Sequence, residues 1–165
     1  MPETDKEIIW APWRMAYILG EKDEGCFICR KLGEDRDEEN FILERGEHCL
    51  VILNLFPYNN GHLMVAPKAH KAKLEDLTPE ESAEIMEKLQ KWVRVIKKCF
   101  APEGFNLGAN LGRVAGAGLD THLHFHLVPR WNGDTNFMPV LGGPKVMPDS
   151  LENCFRALKA SESSL

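Results

Sequence analysis

The stretch Thr121-His122-Leu123-His124-Phe125-His126-Leu127-Val128-Pro129 alternates histidine with apolar residues three times over. Alternation of period two predicts a strand over 121–129. Its residues 122, 124 and 126 share one face, ~6.6–6.8 Å apart at each step. Leu123, Phe125 and Leu127 then face the core. The chain has six histidines, and three of them fall in this one run. A strand with a merely solvated face would more naturally carry Thr, Lys or Glu at those positions. Three residues here read as chemistry: an imidazole ladder, or a three-histidine metal site, although three ligands in line suit a tetrahedron poorly.

The segment just before the run favours the ladder. Leu111 to Gly118 is a glycine-rich loop with Gly112, Gly116 and Gly118, where backbone N–H groups can approach a phosphate closely. A neutral imidazole is a competent nucleophile toward phosphorus. Arg130, just past the run, reads equally as a structural residue or as one that steers anions.

Further out, residues 41–45 and 49–53 read as two strands around a turn at 46–48, and 62–66 as a third strand stopped by Pro67. Asn54 to Gly61 carries loop residues. Thr78-Pro79-Glu80-Glu81 is a helix start with a capping box. Ile85, Met86, Leu89, Trp92, Val93, Ile96 and Phe100 follow at helical spacing, which predicts one buried face and an end before Pro102. Residues 104–110 read as a fourth strand, 131–148 as an extended flap, and 151–158 as a short helix. Hairpin-like connections and one long helix between strands three and four predict an α+β fold with a mainly antiparallel sheet.

The chain has 165 residues, 44% hydrophobic and 27% charged, which suits one domain over 1–165. No apolar run approaches the ~18–20 residues of a membrane span. The acidic start MPETDKEIIW is unlike a secretory leader, so a cytoplasmic location is expected. A net charge of −5 argues against binding nucleic acid or an anionic membrane, but admits a small anionic ligand in a local pocket. Five cysteines without a leader argue against a disulfide scaffold. Cys49, Cys99 and Cys154 read as small packing residues. Cys26 and Cys29 form a C-x-x-C pair, readable as half a zinc site or as a redox pair; histidines would have to complete a tetrahedron. His62 reads as a structural hydrogen-bonder and His48 as a turn residue. Phe56 and Tyr58 read as either base-flanking or loop-packing. The Trp10-Ala11-Pro12-Trp13-Arg14 segment reads as an apolar arm.

His122-Leu123-His124-Phe125-His126-Leu127-Val128 resembles the signature of the histidine triad family. The likeness extends to Asn54, eight residues before a Gly-His strand, and to Pro67-Lys68-Ala69-His70. It covers roughly residues 20–130, with an N-terminal arm over 1–19 and the flap and short helix over 131–165. Within the family the chain is most similar to the bacterial and archaeal diadenosine tetraphosphate phosphorylase branch. The Trp10–Arg14 arm, Asn54 to His62, Gly104 to Asn110 and Pro129 to Phe137 carry that similarity.

The resemblance implies a five-stranded, two-helix protomer whose dimer forms a ten-stranded sheet. It implies that His124 attacks the α-phosphorus, that His126 lines the phosphate site and that His122 supports the ladder. It further implies that Asn54 binds the ribose and Asn110 the α-phosphate or leaving group, beside the Gly116–Gly118 loop. In zinc-bearing members the matching positions imply a structural zinc on Cys26, Cys29, His70 and His122. Hydrolases and phosphoramidases of the family usually carry a glutamine where this chain has Gly118. The smaller residue leaves room for inorganic phosphate as the second nucleophile. The expected reaction is therefore phosphorolysis of diadenosine tetraphosphate to ATP and ADP. Hydrolysis on the same scaffold, or a non-catalytic nucleotide-binding module, are the alternatives.

Overall fold

A computed structural model describes residues 25–134 and 147–164. The Trp10–Arg14 arm and most of the 131–148 segment lie outside those residues. The described elements are helix α1 (Phe27–Gly33), strands β1 (Ile42–Arg45), β2 (Cys49–Leu53) and β3 (Leu63–Pro67), helix α2 (Pro79–Phe100), strands β4 (Gly104–Gly108) and β5 (Phe125–Arg130), and helix α3 (Leu151–Glu162). Short 3-10 turns precede α2 and interrupt the β4–β5 connection. The sheet is antiparallel throughout, in the order β1-β2-β3-β5-β4. No described helix is long and apolar enough to cross a membrane.

The α2 start is built as its sequence predicts. Thr78 accepts the Glu81 amide and the Glu81 carboxylate returns to the Thr78 amide, with Pro79 in the first turn. The helix ends on Ala101 in the left-handed region, ahead of Pro102. Its buried apolar residues are Ile85, Leu89, Trp92, Val95 and Ile96. Met86 was expected on that face but is 48% exposed, because the apolar stripe follows residues 85, 89, 92 and 96 and leaves 86 to one side.

Two registers of the sheet divide the molecule. Leu53, Leu63 and Leu127 align across β2, β3 and β5 and pack under α2 and α3 in the main core. The neighbouring row is Ile42, Ile52, Met64, His126 and Gly108, on the opposite face. There Ile28 of α1 joins a smaller apolar cluster. Helix α1 was not expected from the sequence, so the described residues hold three helices where two main ones were anticipated. Helix α3 also runs four residues beyond the expected 151–158, to Glu162.

The histidine run departs from expectation. Strand β5 begins at Phe125, so His122 and His124 precede it. Pro67 has no N–H to continue the β3 ladder into this segment. Instead the Leu123 amide donates to the Lys71 carbonyl at 2.6 Å.

Candidate active site

The His122 ring is fully buried, and its Nε2 lies 2.8 Å from the Pro67 carbonyl oxygen. A carbonyl only accepts, so Nε2 carries the proton and Nδ1 offers its lone pair. That Nδ1 faces two sulfurs, Cys26 Sγ at 3.1 Å and Cys29 Sγ at 3.5 Å. His70 Nδ1 lies 3.3 Å from Cys29 Sγ. All four ligand atoms fall within 4.8 Å of one another.

This donor set fits a tetrahedral zinc ion. Bond lengths near 2.3 Å to sulfur and 2.0 Å to nitrogen separate S from N by about 3.5 Å in a tetrahedron. The Pro67 carbonyl supplies the outer hydrogen bond that fixes a metal-binding imidazole. Burial holds the His122 ring below its usual histidine range, hence neutral and able to ligate. Burial first, and then the adjacent Cys26, push the Cys29 thiol up. A cation is what would allow both sulfurs to ionise together.

His124 turns the other way. Its Nδ1 lies 2.9 Å from the His122 carbonyl oxygen. By the same reasoning Nδ1 carries the proton and Nε2 is left with a lone pair, the form needed for nucleophilic attack. His124 is 7% exposed, and its ring centroid is 4.9 Å from that of His126.

His62 joins these rings, although the sequence marks it only as a structural hydrogen-bonder. The Tyr58 amide donates to His62 Nδ1 at 3.0 Å, so His62 carries its proton on Nε2. His62 Nε2 donates to His126 Nδ1 at 2.9 Å. His126 must then hold its own proton on Nε2. Two linked rings thus convert one backbone amide into a fixed side-chain donor beside His124. Burial, and secondarily His124, lower the His126 pKa to about 4, so the ring is neutral near pH 7. A clue lies in the Gly61-His62 strand entry: no other histidine starts a strand beside the β5 run.

Asn54 stands at the mouth of the same loop. Its Oδ1 accepts the Phe56 amide at 2.9 Å and its Nδ2 lies 3.4 Å from His62 Nδ1. Asn110 Nδ2 reaches the Gly116 carbonyl at 3.4 Å and closes the glycine loop on itself. The amides of Ala115, Gly116 and Ala117 all donate to carbonyls within that loop. Gly112 and Gly116 hold φ of 83° and 91°, where a side chain would be strained. Gly118 has no such constraint, and a Cβ built there meets no atom within 4 Å. Gly108 lies opposite His126 in the β4–β5 register and leaves the sheet surface beside that ring equally open. Arg130, the residue open to two readings, is held by Asp134 at 2.6 Å and by Asn106 at 2.7 Å, a structural role.

The arrangement brings together a histidine with a free-lone-pair Nε2, a neutral histidine donor and a metal-type Cys2His2 cluster. Residues 35–133 match the HIT domain family, and the chain belongs to it. The chain is 44% identical over 158 residues to the AP-4-A phosphorylase of Mycobacterium tuberculosis, covering 91% of this chain and 81% of that protein. It is 37% identical over 83 residues to an adenosine 5'-monophosphoramidase of Schizosaccharomyces pombe, covering 50% of this chain and 59% of that one. The fold also matches the crystal structure of a zinc-bound histidine triad family protein from Mycobacterium smegmatis. The TM-score is 0.68 at 30% identity, over 85% of this chain and 94% of that one.

Proposed function

We propose that this chain is an enzyme that transfers the adenylyl group of diadenosine tetraphosphate to inorganic phosphate through a covalent adenylyl-His124. The observation that carries this reading is the Nδ1 contact of His124 with the His122 carbonyl, which leaves Nε2 as the nucleophile. In the first step the Nε2–P bond forms, the bond from that phosphorus to the bridging oxygen breaks, and ATP departs with the electron pair. The His126 Nε2–H offers a hydrogen bond to the oxygen that gains charge. The His122 carbonyl stabilises the positive charge left on the substituted His124 ring. In the second step phosphate attacks the same phosphorus, the N–P bond breaks and ADP is formed. Asn54 would bind the ribose and Asn110 the phosphate groups beside Gly118, while the expected Gly116 amide is turned into its own loop.

The similarity to the mycobacterial phosphorylase supports this substrate, and the open space at Gly118 supports phosphate as the second nucleophile. Cys26, Cys29, His70 and His122 would hold a structural zinc, which supplies rigidity and no open coordination position. A homodimer is supported by β4, which among the described residues is an edge strand paired only with β5 and whose Leu107 is 52% exposed. The similarity to a phosphoramidase over half the chain keeps hydrolysis as the second reading.

Anion-exchange analysis of products made with and without phosphate tests the proposal. ATP and ADP should appear only with phosphate. His124→Ala should abolish turnover while nucleotide binding persists, and Gly118→Gln should shift the product toward AMP. ATP and AMP formed regardless of phosphate would make the chain a hydrolase. Near-full activity in His124→Ala would sink the covalent route.

A further inference from the structure

The Asn54–Gly61 loop carries three exposed apolar residues in four positions: Leu55 at 38%, Phe56 at 59% and Tyr58 at 53% exposed. Exposed apolar residues clustered beside a reactive group mark a ligand surface more often than scattered ones do. The loop is held rigidly. Asn54 Oδ1 takes the Phe56 amide and His62 Nδ1 takes the Tyr58 amide. The Tyr58 ring packs on His62 at 4.7 Å between centroids and lies 5.8 Å from His126, tilted 37° and 34° to them.

The place of Tyr58 relative to the two reacting histidines gives it a direction. The nucleophile is His124, and the fixed donor beside it is His126. Attack at phosphorus expels the group opposite the nucleophile, and the departing oxygen is the one His126 can hydrogen-bond. The Tyr58 ring lies against His62 and His126, the pair that offers the departing oxygen its donor, which sets it beside the leaving group. It is also preorganised: the ring packs against two imidazoles while half of its surface stays exposed. Every nucleobase has a π-face, and aromatic side chains bind bases by stacking.

We propose that Tyr58, with Phe56 beside it, is a stacking platform for the nucleoside of the leaving nucleotide, and that it gives this site its preference for dinucleotides. The inference rests on the adenylyl-transfer reading above. The flexible polyphosphate of the leaving nucleotide lets its base fold back onto the loop. The reaction itself is unchanged; the platform adds affinity for the second base in both ground and transition states.

Two substrates separate the effects. Diadenosine tetraphosphate and adenosine 5'-tetraphosphate present the same adenylyl group and four phosphates, but only the first has a second base. The ratio of their kcat/KM values should favour the dinucleotide by at least tenfold in the wild type. Tyr58→Leu combined with Phe56→Leu should reduce that ratio about tenfold, and Tyr58→Trp should restore it. An unchanged ratio, or equal loss on both substrates with no rescue by tryptophan, overturns the platform. If the wild type turns over neither compound, the reading of the reaction fails. Calorimetric binding of the same two compounds then judges the platform alone, and equal affinities of wild type and double variant for the dinucleotide overturn it.

Discussion

His126 accepts a hydrogen bond at one ring nitrogen and offers one at the other, and both roles require the neutral ring. Its folded pKa near 4 lies below the ~6.5 of an unfolded histidine. Between those values the unfolded chain binds more protons than the folded one, so stability falls as pH falls. Above pH ~6.5 the group has no effect, and below pH ~4 its penalty is complete at roughly 3 kcal/mol. Urea denaturation at several pH values from 7 to 4.5 should show this loss in the wild type. His126→Gln should flatten it. Equal slopes in the two proteins would remove His126 as the source. Cys49 and Cys154 are held up at about 12 by burial and stay inert thiols throughout this range.

At the scale of elements, the β1–β2 turn depends on a side chain from α2. The Glu84 carboxylate accepts the amides of Glu47, His48 and Cys49, and burial does not prevent these contacts from holding it below the usual carboxylate range. A Cβ at Gly46 would collide with that carboxylate. Gly46→Ala should therefore displace Glu84 from three amides and cost about 1–3 kcal/mol, measured by chemical denaturation. Full stability in the variant would mean that water replaces the carboxylate without loss.

The long helix was legible because its signals are local: Thr78 and Glu81 cap each other within one turn, and the apolar spacing follows. The strands at 42–45, 49–53 and 63–67 were legible from β-branched runs and the turn residues between them. Helix α1 was not, since seven residues capped by a cysteine have little intrinsic helical signal and rely on Ile28 packing under the sheet. The break of the histidine run at Phe125 depends on Pro67, Lys71 and the cysteine pair, all more than fifty residues away. Alternation within the run cannot report contacts at that distance. The candidate nucleophile is read from the run itself. The linkage from the Tyr58 amide through His62 to His126 is not, because it joins a loop to two strands.

For the whole molecule, the metal-type cluster ties α1 to the β3–α2 connection and to the entry of β5 in one place. Helix α1 is too short to persist alone. Purified protein should contain about one zinc per chain by elemental analysis. Removing it with a chelator should lower the Tm by several degrees and expose the amides of residues 27–33 to hydrogen exchange. A chelated protein with unchanged Tm and protected α1 amides would leave the cysteine pair without a structural role. The same cluster also meets the proposed nucleophile at a single residue. The ring of His122 belongs to the cluster, whereas its carbonyl selects the tautomer of His124. Every amino acid has that carbonyl. The tautomer of His124 is thus inherited from the path of the chain, and a descendant could lose all four ligand side chains without losing the atom that orients this imidazole.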